Sequence, residues 1–192
     1  MRIFPLLLIF SIISAQWSSE SAHLLEKNRK EIGLLSPYKM ALNNGSEIGV
    51  NKFLLMPSIY VKQEMSMYNS WKMARKFRTE YPTPGLKWIQ SPLGKEMGDP
   101  NMFSLISSQF SIPQMFSFHV ELIGSKGNLE SGQLSLNGGV GVALNGKKLS
   151  NDATIDLPVI YPRLSVYYND FVIKTGGEYA RHLRNRLNYI ID

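Results

Sequence analysis

Ser117, His119 and Glu121 stand two residues apart in the stretch from Met115 to Leu144. A hydroxyl nucleophile, an imidazole base and a carboxylate to orient it are the ingredients of acyl transfer. The spacing puts all three on one face only if the chain is extended there, because strand side chains alternate with a period of two. Successive same-face positions lie about 6–7 Å apart, so contact between them needs side-chain reach. The plainer reading is a ladder of polar side chains filling an interior, and the rest of the sequence favours it.

That ladder is longer than three residues. Lys62, Glu64, Lys72, Lys76, Arg78, Glu80, His119, Glu121, Lys174, Glu178 and Arg186 share the polar phase of their segments. In a small barrel such residues pair across strands and plug the interior. In a wider one they line a pore. Plugging is the expectation for so few strands. The opposite phase is apolar: Phe116, Phe118, Val120 and Leu122, then Leu134, Leu136, Val140, Val142 and Leu144. In a membrane barrel this set faces lipid; in a soluble β-protein it faces the core. Which face of the Phe116–Leu122 strand is exposed decides between the two. His23, His119 and His182 are scattered without a metal-ligand spacing, and no glycine-rich phosphate loop follows a strand, so neither metal nor cofactor is expected.

The elements that must hold these residues are read from the same rhythm. Tyr38, Met40 and Leu42 alternate, and Asn43 to Ser46 turns the chain with residues that tolerate positive φ. Alternation resumes at Glu47 and again from Ser58 to Tyr68. Asn69-Ser70 is a turn. Trp71, Met73, Phe77 and Tyr81 then oppose Lys72, Ala74, Lys76, Arg78 and Glu80, with Arg75 the misfit on the apolar side. Pro82 to Pro100 reads as loop, with a brief strand or helical turn at Leu86 to Ile89. Met102 to Phe110 reads as a strand. Gly124 to Gly132 reads as a turn-rich break. Thr154 to Tyr168 reads as a strand whose phase slips at Tyr161-Pro162-Arg163, a bulge or tight turn. Asn169-Asp170 is a turn. Phe171 to Ala180 and Leu187 to Ile191 alternate again. The sum is all-β: an antiparallel meander closing into a barrel of roughly eight to ten strands, each about ten residues long, as tilted membrane strands are.

The bulk properties narrow the setting. The chain has 192 residues, 44% of them hydrophobic, a net charge of +6 and no cysteine. That composition belongs to a folded domain. The cations are dispersed, so nucleic acid is not an expected partner. Residues 1–15 read as a signal peptide, with Arg2, an apolar run from Ile3 to Ile13, and Ser14-Ala15. Residues 16–30 form a polar lead-in, and 31–192 the β-domain. No apolar run reaches the roughly 20 residues of a membrane helix.

Several phrases occur together: Leu35-Ser36-Pro37-Tyr38, Ser46-Glu47-Ile48-Gly49-Val50, Met56-Pro57-Ser58-Ile59-Tyr60-Val61-Lys62, Tyr81-Pro82-Thr83-Pro84-Gly85, Ile112-Pro113-Gln114-Met115-Phe116-Ser117 and Asp156-Leu157-Pro158-Val159-Ile160-Tyr161-Pro162-Arg163. From Glu31 onward the chain resembles a group of uncharacterised bacterial outer-membrane β-barrel-like envelope proteins. The resemblance implies export to the outer membrane, with outer-membrane lipid and the barrel-insertion machinery as partners. It implies no activity, no catalytic residue and no oligomeric state. The chain ends Tyr189-Ile190-Ile191-Asp192, without the terminal aromatic residue usual in such barrels. Two other readings stay open. One is a soluble exported β-protein, periplasmic or secreted, binding lipid or another apolar ligand. The other is a barrel-borne lipid-modifying hydrolase using Ser117, His119 and Glu121.

Overall fold

The computed structural model describes residues 21–32, 37–51, 57–87, 111–128, 130–144, 161–184 and 187–191. The signal peptide, the strand read at Met102–Phe110, and Arg186 lie outside them. Nine strands form a single sheet: β1 (Lys30–Glu31), β2 (Tyr38–Leu42), β3 (Ser46–Asn51), β4 (Ser58–Glu64), β5 (Lys72–Glu80), β6 (Ser117–Asn128), β7 (Gly132–Ala143), β8 (Phe171–Arg184) and β9 (Leu187–Ile191). Their order in the sheet is their order in the chain, and every neighbouring pair is antiparallel. The architecture is thus an all-β up-and-down meander. Among the described residues no pairing joins β1 to β9, and the sheet is not closed.

Local chemistry sets the reversals. Asn69 and Ser70 both have positive φ, 46° and 67°, as the turn that matches strand twist requires at its two central positions. Tyr68 and Trp71 exchange main-chain hydrogen bonds of 3.0 and 2.8 Å across it. Gly45 takes φ 68° in the turn from β2 to β3. Asp170 takes φ 65°, turning the chain into β8 at the place where Asn169-Asp170 was read as a turn.

Two expectations are corrected. Gly124 to Gly132 is not a break: β6 runs on to Asn128 and β7 begins at Gly132, each 12 residues long. Gly124 and Ser125 hid the alternation because neither carries a large side chain. Gly124 instead lies against Met73 and Trp71, and Ser125 pairs inward with Ser135, their hydroxyls 2.8 Å apart. Thr154 to Tyr168 does not continue as a strand through its second half, because Tyr161–Asn169 is a helix, α1. Leu164, Val166 and Tyr168 mimicked a period of two, whereas burial falls on Leu164, Val166 and Tyr167. Leu164 and Tyr167, three apart, share one helical stripe. Pro162 sits in the first turn, where its missing N–H costs no helical hydrogen bond. The slip at Tyr161-Pro162-Arg163 is therefore the start of a helix and not a bulge. Residues 83–87 form the helical turn anticipated near Leu86.

The sheet's two faces differ in chemistry. Glu47, Lys62, Lys76, Glu80, His119, Glu121 and Glu178 are buried on one face. Ile59, Leu122, Leu134, Val140, Leu144 and Ile173 are exposed on the other, Ile173 at 67%. Two pieces of chain cover the polar face. Residues 21–25 lie against one end of it, and α1 lies against the other.

Candidate functional site

Register aligns the buried polar residues into rows across the sheet. Glu47, Lys62, Lys76, Glu121, Gly139 and Lys174 are successive partners from β3 to β8. Next to them run Gly49, Tyr60, Arg78, His119 and Gly141, and then Asn51, Ser58, Glu80, Ser117 and Ala143. Alternation put these residues on one face; pairing stacks them side by side.

The first row brackets like charges with opposite ones. Lys62 faces Lys76, yet Lys62 meets Glu47 at 3.5 Å and Lys76 meets Glu121 at 3.4 Å. Arg78 reaches both Glu121 (3.0 Å) and Glu80 (3.3 Å). Tyr60 donates its hydroxyl to Glu47 at 2.9 Å, and its ring lies 5.1 Å below the Lys76 ammonium. Buried charges persist when paired and hydrogen-bonded; the row pairs its charges, although Glu121 Oε2 has only its Lys76 contact and no hydrogen bond among the described residues. Glycine partners leave the room. A Cβ at Gly49 would collide with the Tyr60 ring, and one at Gly141 with the His119 ring.

The predicted ladder separates by position. Lys62, Lys76, Glu80, His119, Glu121 and Glu178 are buried, and Arg78 and Lys174 are half-buried. Glu64 and Lys72 sit at the rim and pair with each other at 3.0 Å. Of the apolar set, Leu122, Leu134, Leu136, Val140, Val142 and Leu144 are exposed. Phe116, Phe118 and Val120 are half-buried. Phe118 stacks on Phe77 at 6.3 Å, and Phe116 tilts against Tyr81 at 6.5 Å. Arg75 stays on this face, its Nε donating to Gln63 at 3.0 Å and its guanidinium 5.7 Å from the Phe77 ring centroid.

The Ser117, His119 and Glu121 constellation comes together only in part. Ser117 Oγ and His119 Nε2 are 3.0 Å apart, within reach of a nucleophile–base pair despite the strand spacing. Glu121 does not join them, being held by Lys76 and Arg78. The carboxylate near the imidazole is Glu80, 3.7 Å away, and it approaches the same Nε2. A triad carboxylate would hold Nδ1 instead. That atom has no hydrogen-bond partner among the described residues and faces Gly141. The Tyr167 hydroxyl of α1 donates to Ser117 Oγ at 2.8 Å. Burial pushes the Tyr167 phenol above its ordinary range, so it remains a donor. Ser117 (0%) and His119 (1%) are shut off from solvent. The arrangement is a hydroxyl relay, Tyr167 to Ser117 to His119, that pins α1 to the sheet.

Sequence reasoning missed several members. Alternation resumes at Glu47, and its phase with Gly49 and Asn51 puts it on the polar face. Tyr60 is not in the predicted ladder. Tyr167 lay in a segment read as a strand. Nothing in the sequence signals that Ser21, Ala22 and His23 would meet Lys62 and Ser125.

Those contacts form the far end of the site. Ala22 N–H donates to Ser125 Oγ at 2.8 Å, and Leu25 N–H to Glu47 Oε2 at 3.0 Å. Lys62 Nζ donates to the carbonyls of Ser21 (3.3 Å) and His23 (2.8 Å). Ala22 packs against Ala74 and Ile123, a cross-strand pair of β5 and β6 and a small apolar island on the polar face. Among the described residues no cluster of three histidine, aspartate or glutamate side chains could hold a metal ion. No protein-family model, no curated protein and no solved structure matches this chain.

Proposed function

We propose that this chain is a bacterial outer-membrane β-barrel protein, its sheet closing on itself around a plugged interior, with a structural role rather than a catalytic one. The observation that carries this reading is the inverted polarity of the sheet. In water each exposed large aliphatic side chain forgoes about 1.5–3 kcal/mol of burial. Soluble monomers rarely expose contiguous apolar patches beyond a few hundred Å². Here Ile59, Leu122, Val140, Leu144 and Ile173 face outward while Glu47, Lys62, Lys76 and Glu121 face inward. Lipid is the solvent in which that arrangement is favourable.

Only the longer strands have the length expected of membrane strands, since β2, β3 and β4 have 5, 6 and 7 residues. β6 and β7 have 12 residues each, which is about 40 Å of strand and about 30 Å along the membrane normal at the usual barrel tilt. The ion pairs Lys62–Glu47 and Lys76–Glu121 and the covering pieces of chain favour a plug over an open pore. A soluble carrier of apolar ligands would need the opposite polarity, with the aliphatic face inside. A hydrolase would need Ser117 open to substrate, and it is enclosed.

Heat-modifiable migration is the test. A closed barrel extracted in mild detergent is expected to run faster unboiled than boiled, and to stay with membranes after a carbonate wash. Full release by carbonate and a single band would defeat the reading. Lipid hydrolysis by the folded chain that disappears in His119→Ala would bring the enzyme reading back.

A further inference from the structure

Residues 21–25 contact the sheet in an unusual way. Four hydrogen bonds tie them down, and in every one the segment contributes main-chain atoms while the sheet contributes a side chain. A strand added to a sheet edge would pair main chain with main chain. Here the backbone lies across a face, read by Lys62, Glu47 and Ser125. One side chain alone is fully enclosed, the Ala22 methyl on Ala74 and Ile123. The segment's connection to the sheet runs through exposed residues, with a turn at Asn28 (φ 65°).

We infer that this end of the polar face is a binding site for an extended peptide main chain, filled in cis by Ser21–Leu25 and able to take the same kind of peptide in trans. Recognition has two parts. The ammonium, carboxylate and hydroxyl read backbone groups and accept many sequences. The Ala74–Ile123 island favours a small residue, since it encloses the Ala22 methyl completely. The inference concerns only these contacts and does not depend on whether the sheet closes.

The full chain tests it. A specific protease site is inserted between Lys27 and Asn28, the chain is folded, and it is then nicked. Fluorescent peptide of residues 16–27 is added, and its anisotropy and the far-UV circular dichroism of the sheet are followed. The labelled peptide is expected to bind saturably and to be displaced by the unlabelled one, with the sheet intact. N-methylation at Ala22 or Leu25 removes one main-chain donor to the sheet and adds a methyl group where the contact was, so each is expected to bind about tenfold weaker. Replacing Ala22 by Leu in the peptide should abolish detectable binding. Replacing His23 by Ala should change affinity less than about threefold, because its carbonyl and not its ring is read. Lys62→Met in the nicked chain should weaken every peptide, and the N-methyl peptides carry the test if that variant does not fold. Loss of the sheet on nicking, failure of the labelled peptide to enter an intact sheet, or equal binding by the N-methylated peptides would each overturn the inference.

Discussion

The two ends of the polar face are covered by different physics. At one end, Ser21–Leu25 is held by hydrogen bonds from its own backbone to side chains of β3, β4 and β6. At the other, α1 is held by side chains: Leu164 and Val166 are fully buried, and Tyr167 reaches Ser117. Side-chain burial is strong and specific to sequence. Net main-chain hydrogen bonding is about 0.5–1.5 kcal/mol per neutral bond and about 1.5–3 kcal/mol where a charged group takes part, as Lys62 and Glu47 do here, and it is indifferent to sequence. The helix end is thus held by contacts specific to its side chains, and the N-terminal end by contacts that read mainly its backbone.

That contrast can be broken most forcefully at Leu164. Truncation to Ala removes a fully buried side chain and is expected to cost about 2–5 kcal/mol, measured by denaturant unfolding in detergent. The amides of Ala22 and Leu25, at the opposite end of the sheet, should keep their hydrogen-exchange protection under native conditions. Equal loss of protection at both ends would mean that the two covers are one cooperative unit.

A finer cut is Tyr167→Phe. The ring stays packed, the hydroxyl goes, and Ser117 Oγ loses its donor in a site without solvent. The expected loss is about 1–3 kcal/mol, smaller than at Leu164 and confined to the helix end. A variant as stable as the parent would show that the Tyr167–Ser117–His119 relay adds nothing to packing.

The same contrast explains what could be read from the sequence. A period of two states which face a side chain takes, so Lys76, Arg78, Glu80, His119 and Glu121 were legible as one set. It also states which pairs can meet, once neighbouring strands follow one another in the chain. It is silent about what crosses that face from far away. Ala22 meets Ser125 across a separation of 103 residues, through a backbone N–H that every residue but proline carries. Short segments also deceive. Over the nine residues of α1, two turns of helix and a brief alternation are hard to tell apart, and Val166, Tyr167 and Tyr168 lean toward strand by propensity. Glu47 was legible by phase and was passed over because it follows a turn. The interruption read at Gly124 failed for the opposite reason, since small residues leave no pattern where two strands still pair.

The smallest effect is a pH response at the N-terminal end. The His23 ring is held below the usual imidazole range, first by burial and then by the charges of Lys72 and Lys62, with Glu64 pulling the other way. Docked His23 therefore resists protonation more than the released segment does. The stability this contributes is fully present above about pH 6.5, the ordinary imidazole value, and is lost as pH falls below it toward the depressed value. Acidifying from pH 8 to 5 should loosen Ser21–Leu25. The measurement is protection of the Leu25 amide, corrected for intrinsic exchange, beside that of amides in β6. His23→Gln keeps the main-chain carbonyl that Lys62 reads and removes the titrating ring, so its Leu25 protection should be flat over the same interval. A parent protein equally flat would show that the ring is already free of its cationic neighbours and that the N-terminal end is held without regard to pH.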